Sequence, residues 1–128
     1  MKIIEIFKSI QGEGTRSGFV TSFIRFYGCN LKCSWCDTRY SNDKKQIHEV
    51  SPESITEQIR LHNTNHLCIT GGEPLLIGSE LFDLIDLILK KSAIDDIAIE
   101  TNGSIDIADV CEFRKNKDKK ISLIMDYK

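Results

Sequence analysis

Hydrophobic and polar positions along the chain fall into short runs of two periods. "IIEIF" (3–7) and "VTSFIRFYG" (20–28) are dense in β-branched and aromatic residues and predict strands. The glycine-rich "SIQGEGTRSG" lies between them as a connection. "SPESITEQIRLH" (51–62) opens with Ser51 as an N-cap, Pro52 at the first helical position and Glu53 in the first turn, which predicts a helix. "HLCIT" (66–70) is a short strand of the buried type and runs into "GGEP". In "SELFDLIDLILKK" (79–91), Leu81, Leu84, Ile85 and Ile88 recur at helical spacing, with Lys90 and Lys91 at the negative end of the helix dipole. "DIAIE" (96–100) predicts a strand, "TNG" a turn, 106–115 a weak helix and "ISLIMD" (121–126) a last strand.

Strands alternating with helices predict βαβ units on a parallel sheet, an α/β fold in a single domain over 1–128. The polar motifs then share an edge. The cysteine segment follows 20–28, "TGGEP" follows 66–70, "ETNG" follows 96–100 and "DYK" ends 121–126. Ligand sites of α/β sheets and barrels occupy the carboxyl ends of the strands, so these four loops predict one site.

Composition narrows the classes. With 41% hydrophobic and 28% charged residues among 128, the chain reads as an ordinary globular protein. A net charge of -2 does not suit general attraction to nucleic acid or an acidic membrane. The basic run "RKNKDKK" (114–120) is interrupted and reads as a solvated helix end or loop. The sequence shows no secretory or transmembrane pattern, and its five cysteines then predict a reducing, cytoplasmic setting in which clustered thiols bind metal or do chemistry.

Three of those cysteines, Cys29, Cys33 and Cys36, stand in "CNLKCSWCDT" at the spacing C-x3-C-x2-C. Three thiolates exceed one disulfide and fall short of a closed four-ligand site. A 4Fe-4S cluster ordinarily takes four cysteines, so three leave one iron open to a small molecule. Spacing alone keeps two alternatives: zinc completed by His48, His62 or His66, or thiols without a shared role. Cys68, in an apolar strand, and Cys111, in the weak helix, read as packing residues.

C-x3-C-x2-C followed by "GGEP" resembles the radical S-adenosylmethionine (SAM) superfamily. The resemblance implies a partial (β/α) TIM-like barrel, a 4Fe-4S cluster on Cys29, Cys33 and Cys36, and SAM chelated at the open iron. "EIFKSIQGEG", "FIRFYGCNLKCSWCDT" and "ETNGS" narrow it to the 7-carboxy-7-deazaguanine synthases of queuosine and 7-deazapurine biosynthesis. These are carbon–nitrogen lyases that contract 6-carboxy-5,6,7,8-tetrahydropterin to 7-carboxy-7-deazaguanine with loss of ammonia and a need for Mg2+.

By position, the resemblance assigns Ile10, Gln11, Gly12, Glu13, Arg25 and Thr70 to the pterin, with Arg25 on its carboxylate. It assigns Trp35, Cys36, Asp37 and Gly72 to SAM, with Glu100, Asn102 and Lys128 as further contacts, and Thr38 to Mg2+. It also implies a flavodoxin- or ferredoxin-type reductant and a homodimer, with no direct nucleic-acid or membrane partner.

The sequence supplies fewer strands than the family's barrel and is expected to be a C-terminally truncated or short version, with strand 121–126 as an open edge. Two other functions compete with synthesis of the deazapurine. One is a glycyl-radical-enzyme activating enzyme, which has no need of "SIQGEG"; the other is a degenerate, non-catalytic Fe-S or zinc-binding protein.

Overall fold

Six strands form one sheet in the order β3-β1-β2-β4-β5-β6 in the computed structural model, which describes residues 1–126. The strands are β1 (Lys2–Ile10), β2 (Val20–Phe26), β3 (His48–Glu49), β4 (His66–Gly71), β5 (Asp96–Thr101) and β6 (Lys120–Met125). The helices are α1 (Pro52–His62), α2 (Ser79–Lys91) and α3 (Ala108–Lys115). β2, β4, β5 and β6 run parallel, joined in turn through α1, α2 and α3. These units make the βαβ arrangement on a parallel sheet that the alternation of strands and helices predicts, as a partial barrel requires.

The first strand departs from the parallel pattern. β1 pairs antiparallel with β2, because the connection from Gln11 to Phe19 contains no crossover helix. β1 also extends through Ser9 and Ile10, which the sequence reading gave to the connection. The two-residue β3 pairs antiparallel with the outer side of β1 at Lys2 and Ile3 and covers the start of that edge. β6 ends the sheet on the other side, paired only with β5 among the described residues.

The helices follow from their local chemistry. In α1, Ser51 Oγ accepts from Ser54 N at 3.2 Å, Pro52 occupies the first turn, and Asn63 ends the helix in the left-handed conformation. In α2, Leu81, Leu84, Ile85 and Ile88 are all fully buried, each contributing about 1.5–3 kcal/mol of transfer free energy. The helices cover one face of the sheet, where Ile24, Phe26, Leu67, Ile69, Ile97, Ile99 and Ile121 meet them in one core. Side chains alternate along a strand, so Phe23, Arg25, Thr70 and Glu100 point to the opposite, helix-free face, where they line a cavity. No helix among the described residues is long and apolar enough to cross a membrane.

Candidate functional site

The helix-free face holds a cavity of about 940 Å3. Every residue singled out from the sequence as a site residue lines it, except Lys128, which lies outside the described residues. The cavity also draws on both edges of the sheet. The cysteine, "GGEP" and "ETNG" loops come from the carboxyl edge, whereas Gln11, Gly12 and Glu13 come from the β1–β2 connection at the amino edge of β2.

Gly28, at φ 98°, turns the chain out of β2 into the cysteine loop. Two bonds anchor that loop: Gly28 N donates to the Ser41 carbonyl at 2.9 Å, and Cys29 N to Asn42 Oδ1 at 2.9 Å. Cys29, Cys33 and Cys36 are all half-buried on the cavity wall. Leu31 N and Asn102 Nδ2 donate to Cys29 Sγ at 3.4 and 3.6 Å, so N–H groups already face a sulfur that would carry charge as a cluster ligand. Among the described residues, no three His, Cys, Asp or Glu side chains gather around a single-ion position. Neither His48, His62 nor His66 lines the cavity, and His62 Nδ1 is engaged with Ser22 Oγ at 3.0 Å. Three thiols on one wall, with two N–H donors turned to Cys29, fit a multi-iron cluster.

The two glycines of "GGEP" are fixed by sterics. A Cβ on Gly72 would lie 2.0 Å from the Gly28 carbonyl oxygen, and one on Gly71 2.4 Å from that of Phe26. The end of β4 thus crosses the root of the cysteine loop backbone to backbone, with Gly72 N donating to Phe26 O and Glu73 N to Gly28 O. Glu73 was assigned no role from the sequence. Its carboxylate is 1% exposed and accepts three bonds: Leu75 N at 3.0 Å, Thr101 Oγ1 at 2.9 Å and Asn102 N at 2.7 Å. Asn102 in turn donates to Asn30 Oδ1 at 3.1 Å, so one braced path runs from "GGEP" through "ETNG" to the cysteine loop.

Deeper in the cavity, Glu100 Oε1 accepts from Gln11 Nε2 at 3.3 Å and from Cys68 Sγ at 3.2 Å. Cys68 therefore does more than pack: burial, and then the neighbouring Glu100 carboxylate, push its thiol pKa far up and keep it a proton donor. Gln11 is 3% exposed, and its Oε1 accepts from Glu13 N at 3.2 Å. Gln11 thus ties the β1–β2 connection to the Glu100–Cys68 pair on the cavity floor.

Arg25 is held on three sides. Its Nε donates to Glu5 Oε1 at 2.8 Å, and its guanidinium lies 5.8 Å from the Phe7 ring centroid and 5.7 Å from that of Tyr40. Tyr40 Oη donates to the same Glu5 oxygen at 2.9 Å; burial and this bond raise its pKa. Glu5 and Tyr40 carried no signal in the sequence, because the arrangement joins residues far apart in the chain. At the rim, Trp35 is 68% exposed, and Thr38 Oγ1 donates to Asp37 Oδ1 at 2.7 Å. Ile10 is also exposed, and Thr70 is buried at the carboxyl end of β4.

A family profile described as the Radical SAM superfamily matches residues 23–126. The chain is 41% identical over 128 residues to the 7-carboxy-7-deazaguanine synthase of Methanospirillum hungatei, with 100% of this chain and 50% of that protein covered. It is 38% identical over 128 residues to the enzyme of the same name from Clostridium acetobutylicum, with 99% and 55% covered. The crystal structure of QueE from Escherichia coli matches with a TM-score of 0.67 at 30% identity, covering 80% of this chain and 53% of that one. The chain spans about half the length of the curated relatives it matches.

Proposed function

The chain belongs to the radical SAM superfamily, and from that premise we propose that it serves as a radical SAM lyase of the 7-carboxy-7-deazaguanine synthase kind. Its substrate in this reading is 6-carboxy-5,6,7,8-tetrahydropterin, contracted to 7-carboxy-7-deazaguanine with release of ammonia. The observation that carries the proposal is the single cavity. It joins the three cysteines, the "GGEP" turn and the "SIQGEG" connection, which the sequence keeps far apart.

When bound, a 4Fe-4S cluster with SAM supplies one-electron cleavage of a sulfonium and, through it, removal of a hydrogen atom from the substrate. Cys29, Cys33 and Cys36 would hold the cluster, with Asn102 and the Leu31 amide donating to Cys29. Gly72, Trp35, Asp37, Glu100 and Asn102, all on the cavity wall, are the SAM contacts in this reading. Arg25 offers the two terminal nitrogens of its guanidinium, its Nε being engaged by Glu5, and suits the pterin carboxylate. Ile10, Gln11, Gly12, Glu13 and Thr70, also on the cavity wall, contact the ring in this reading. Thr38 would be the protein ligand for Mg2+ in this reading, with substrate oxygens and water supplying the rest. The reading includes a homodimer, a flavodoxin- or ferredoxin-type reductant and a cytoplasmic location.

The test is anaerobic reconstitution, analysis of iron and sulfide, then incubation with SAM, Mg2+, a reductant and the carboxypterin. The expected result is four irons and four sulfides per chain, with 5′-deoxyadenosine and the deazapurine formed together. Stoichiometric zinc with no cluster absorbance overturns the radical reading. Formation of 5′-deoxyadenosine in the pterin's absence and presence alike, with no deazapurine, overturns the substrate.

A further inference from the structure

The β1–β2 connection makes more contacts than a hairpin turn requires. It crosses three parallel strands. Phe19 packs edge-on against His66 at the start of β4, with centroids 4.8 Å apart, and Arg16 pairs with Asp96 at the start of β5. Gly14 rests on β6, so close that a Cβ there would come within 2.7 Å of Ile124 Cδ1. The segment closes on itself through Gly18 N to Gln11 O at 2.8 Å and Gln11 N to Phe19 O at 2.9 Å. Gly14 and Gly18 both stand at positive φ, which lets the segment turn back on itself.

The Arg16–Asp96 pair is unusual for a surface connection. The two side chains are only 11% and 13% exposed, and Arg16 Nε donates to Asp96 Oδ2 at 2.5 Å. Arg16 Nη2, Asp96 Oδ1 and His66 Nδ1 are buried without a hydrogen-bond partner among the described residues, with His66 Nδ1 4.0 Å from Asp96 Oδ2. A buried ion pair with polar atoms left over adds little net stability, since desolvation offsets the Coulomb attraction. In some proteins a buried polar pair of this kind fixes register instead, and the geometry here suits that role.

We infer that Arg16 is a positioning residue. Its ion pair with Asp96 straps residues 11–18 across the helix-free face and so fixes where Gln11 and Glu13 meet the substrate. The strap stands on the geometry alone, while the identity of the substrate it serves rests on the pterin reading.

Arg16→Gln and Asp96→Asn, made in the full chain without cluster, test this through two readouts. The first is hydrogen–deuterium exchange at the amides of 11–19, with β4 and β5 as internal reference. The second is binding of 6-carboxypterin, followed by its fluorescence. Exchange in 11–19 is expected to rise by about tenfold or more and binding to weaken by about tenfold, the size of one lost hydrogen bond to a charged group. The reference strands should keep their protection, and the double variant should be no worse than the harsher single one. Arg16→Lys, which keeps the charge and loses the fork, should fall between and guards against misfolding of Asp96→Asn. Unchanged exchange at 11–19 overturns the strap, as does an equal rise throughout β4 and β5. Faster exchange with pterin binding at full strength overturns its link to substrate. Wild-type protein that binds no 6-carboxypterin refutes the pterin reading itself, and the exchange result still decides the strap.

Discussion

Glu73 Oε2 accepts the backbone N–H of Asn102 at 2.7 Å, and through this bond the carboxylate of the glycine turn fixes a residue that touches the cysteine loop. Glu73→Gln replaces one acceptor oxygen by a donor that faces other donors. The expected cost is about 1–3 kcal/mol for a buried group left unsatisfied. Urea unfolding checks that figure, and iron content after reconstitution should fall with it. Full stability and full iron content together would show that the brace is dispensable.

Gly72→Ala should be more damaging. The added methyl would lie 2.0 Å from the Gly28 carbonyl oxygen, so β4 and the root of the cysteine loop must move apart. Backbone displacement of this kind costs about 1–3 kcal/mol or more. The measurements are the thermal midpoint and the cluster absorbance, both expected to drop, since the same displacement shifts Cys29.

Arg25→Lys separates recognition from assembly. A lysine retains the charge but offers neither the planar fork nor the stacking between Phe7 and Tyr40. The KM for the carboxypterin should rise by about 10–100-fold, the equivalent of a weakened charge-assisted contact. Iron content should stay at the wild-type level. A variant that loses its cluster instead would remove Arg25 from the substrate-binding set.

The Cys68 thiol predicts a dependence on alkaline pH. Its pKa is raised in the folded state, by burial first and by Glu100 second, so the native chain holds this proton where the unfolded chain has released it. Stability is therefore fully present below the thiol's ordinary value and declines as pH rises above it, by up to about 1.4 kcal/mol per unit. Denaturant unfolding of the cluster-free protein between about pH 8.5 and 9.5 measures this slope, in a window below the ordinary tyrosine value. Cys68→Ser should flatten it, and an equal slope in wild type and variant would mean that other groups carry it. Native Cys68 should also resist iodoacetamide under conditions that alkylate Cys29, Cys33 and Cys36.

Local pattern was enough for some of this architecture. Leu81, Leu84, Ile85 and Ile88 repeat at the period of a helix, and α2 spans the predicted 79–91. The shared edge of the cysteine, "GGEP" and "ETNG" loops also followed from strand order, because a parallel sheet leaves their loops on the same side. Other features depend on partners that no window can contain. Gln11 meets Glu100 across 89 positions, and Arg25 meets Glu5 across a strand pair whose antiparallel sense is set by the length of a connection. Cys68, in an apolar strand, reads from sequence as a packing residue. Its face of the strand turned out to be the cavity side, and only pairing of β4 with β5 brings Glu100 to it.

The division of labour between the two faces of β2 has a further consequence. Ile24 and Phe26 serve the helices, while Phe23 and Arg25, one position away, serve the cavity. Residues that keep the protein folded and residues that choose its ligand are thereby interleaved in sequence yet insulated in space. Such a sheet can be retargeted: replacing every second residue along its strands rewrites what the cavity accepts, and the scaffold beneath is left to fold as before.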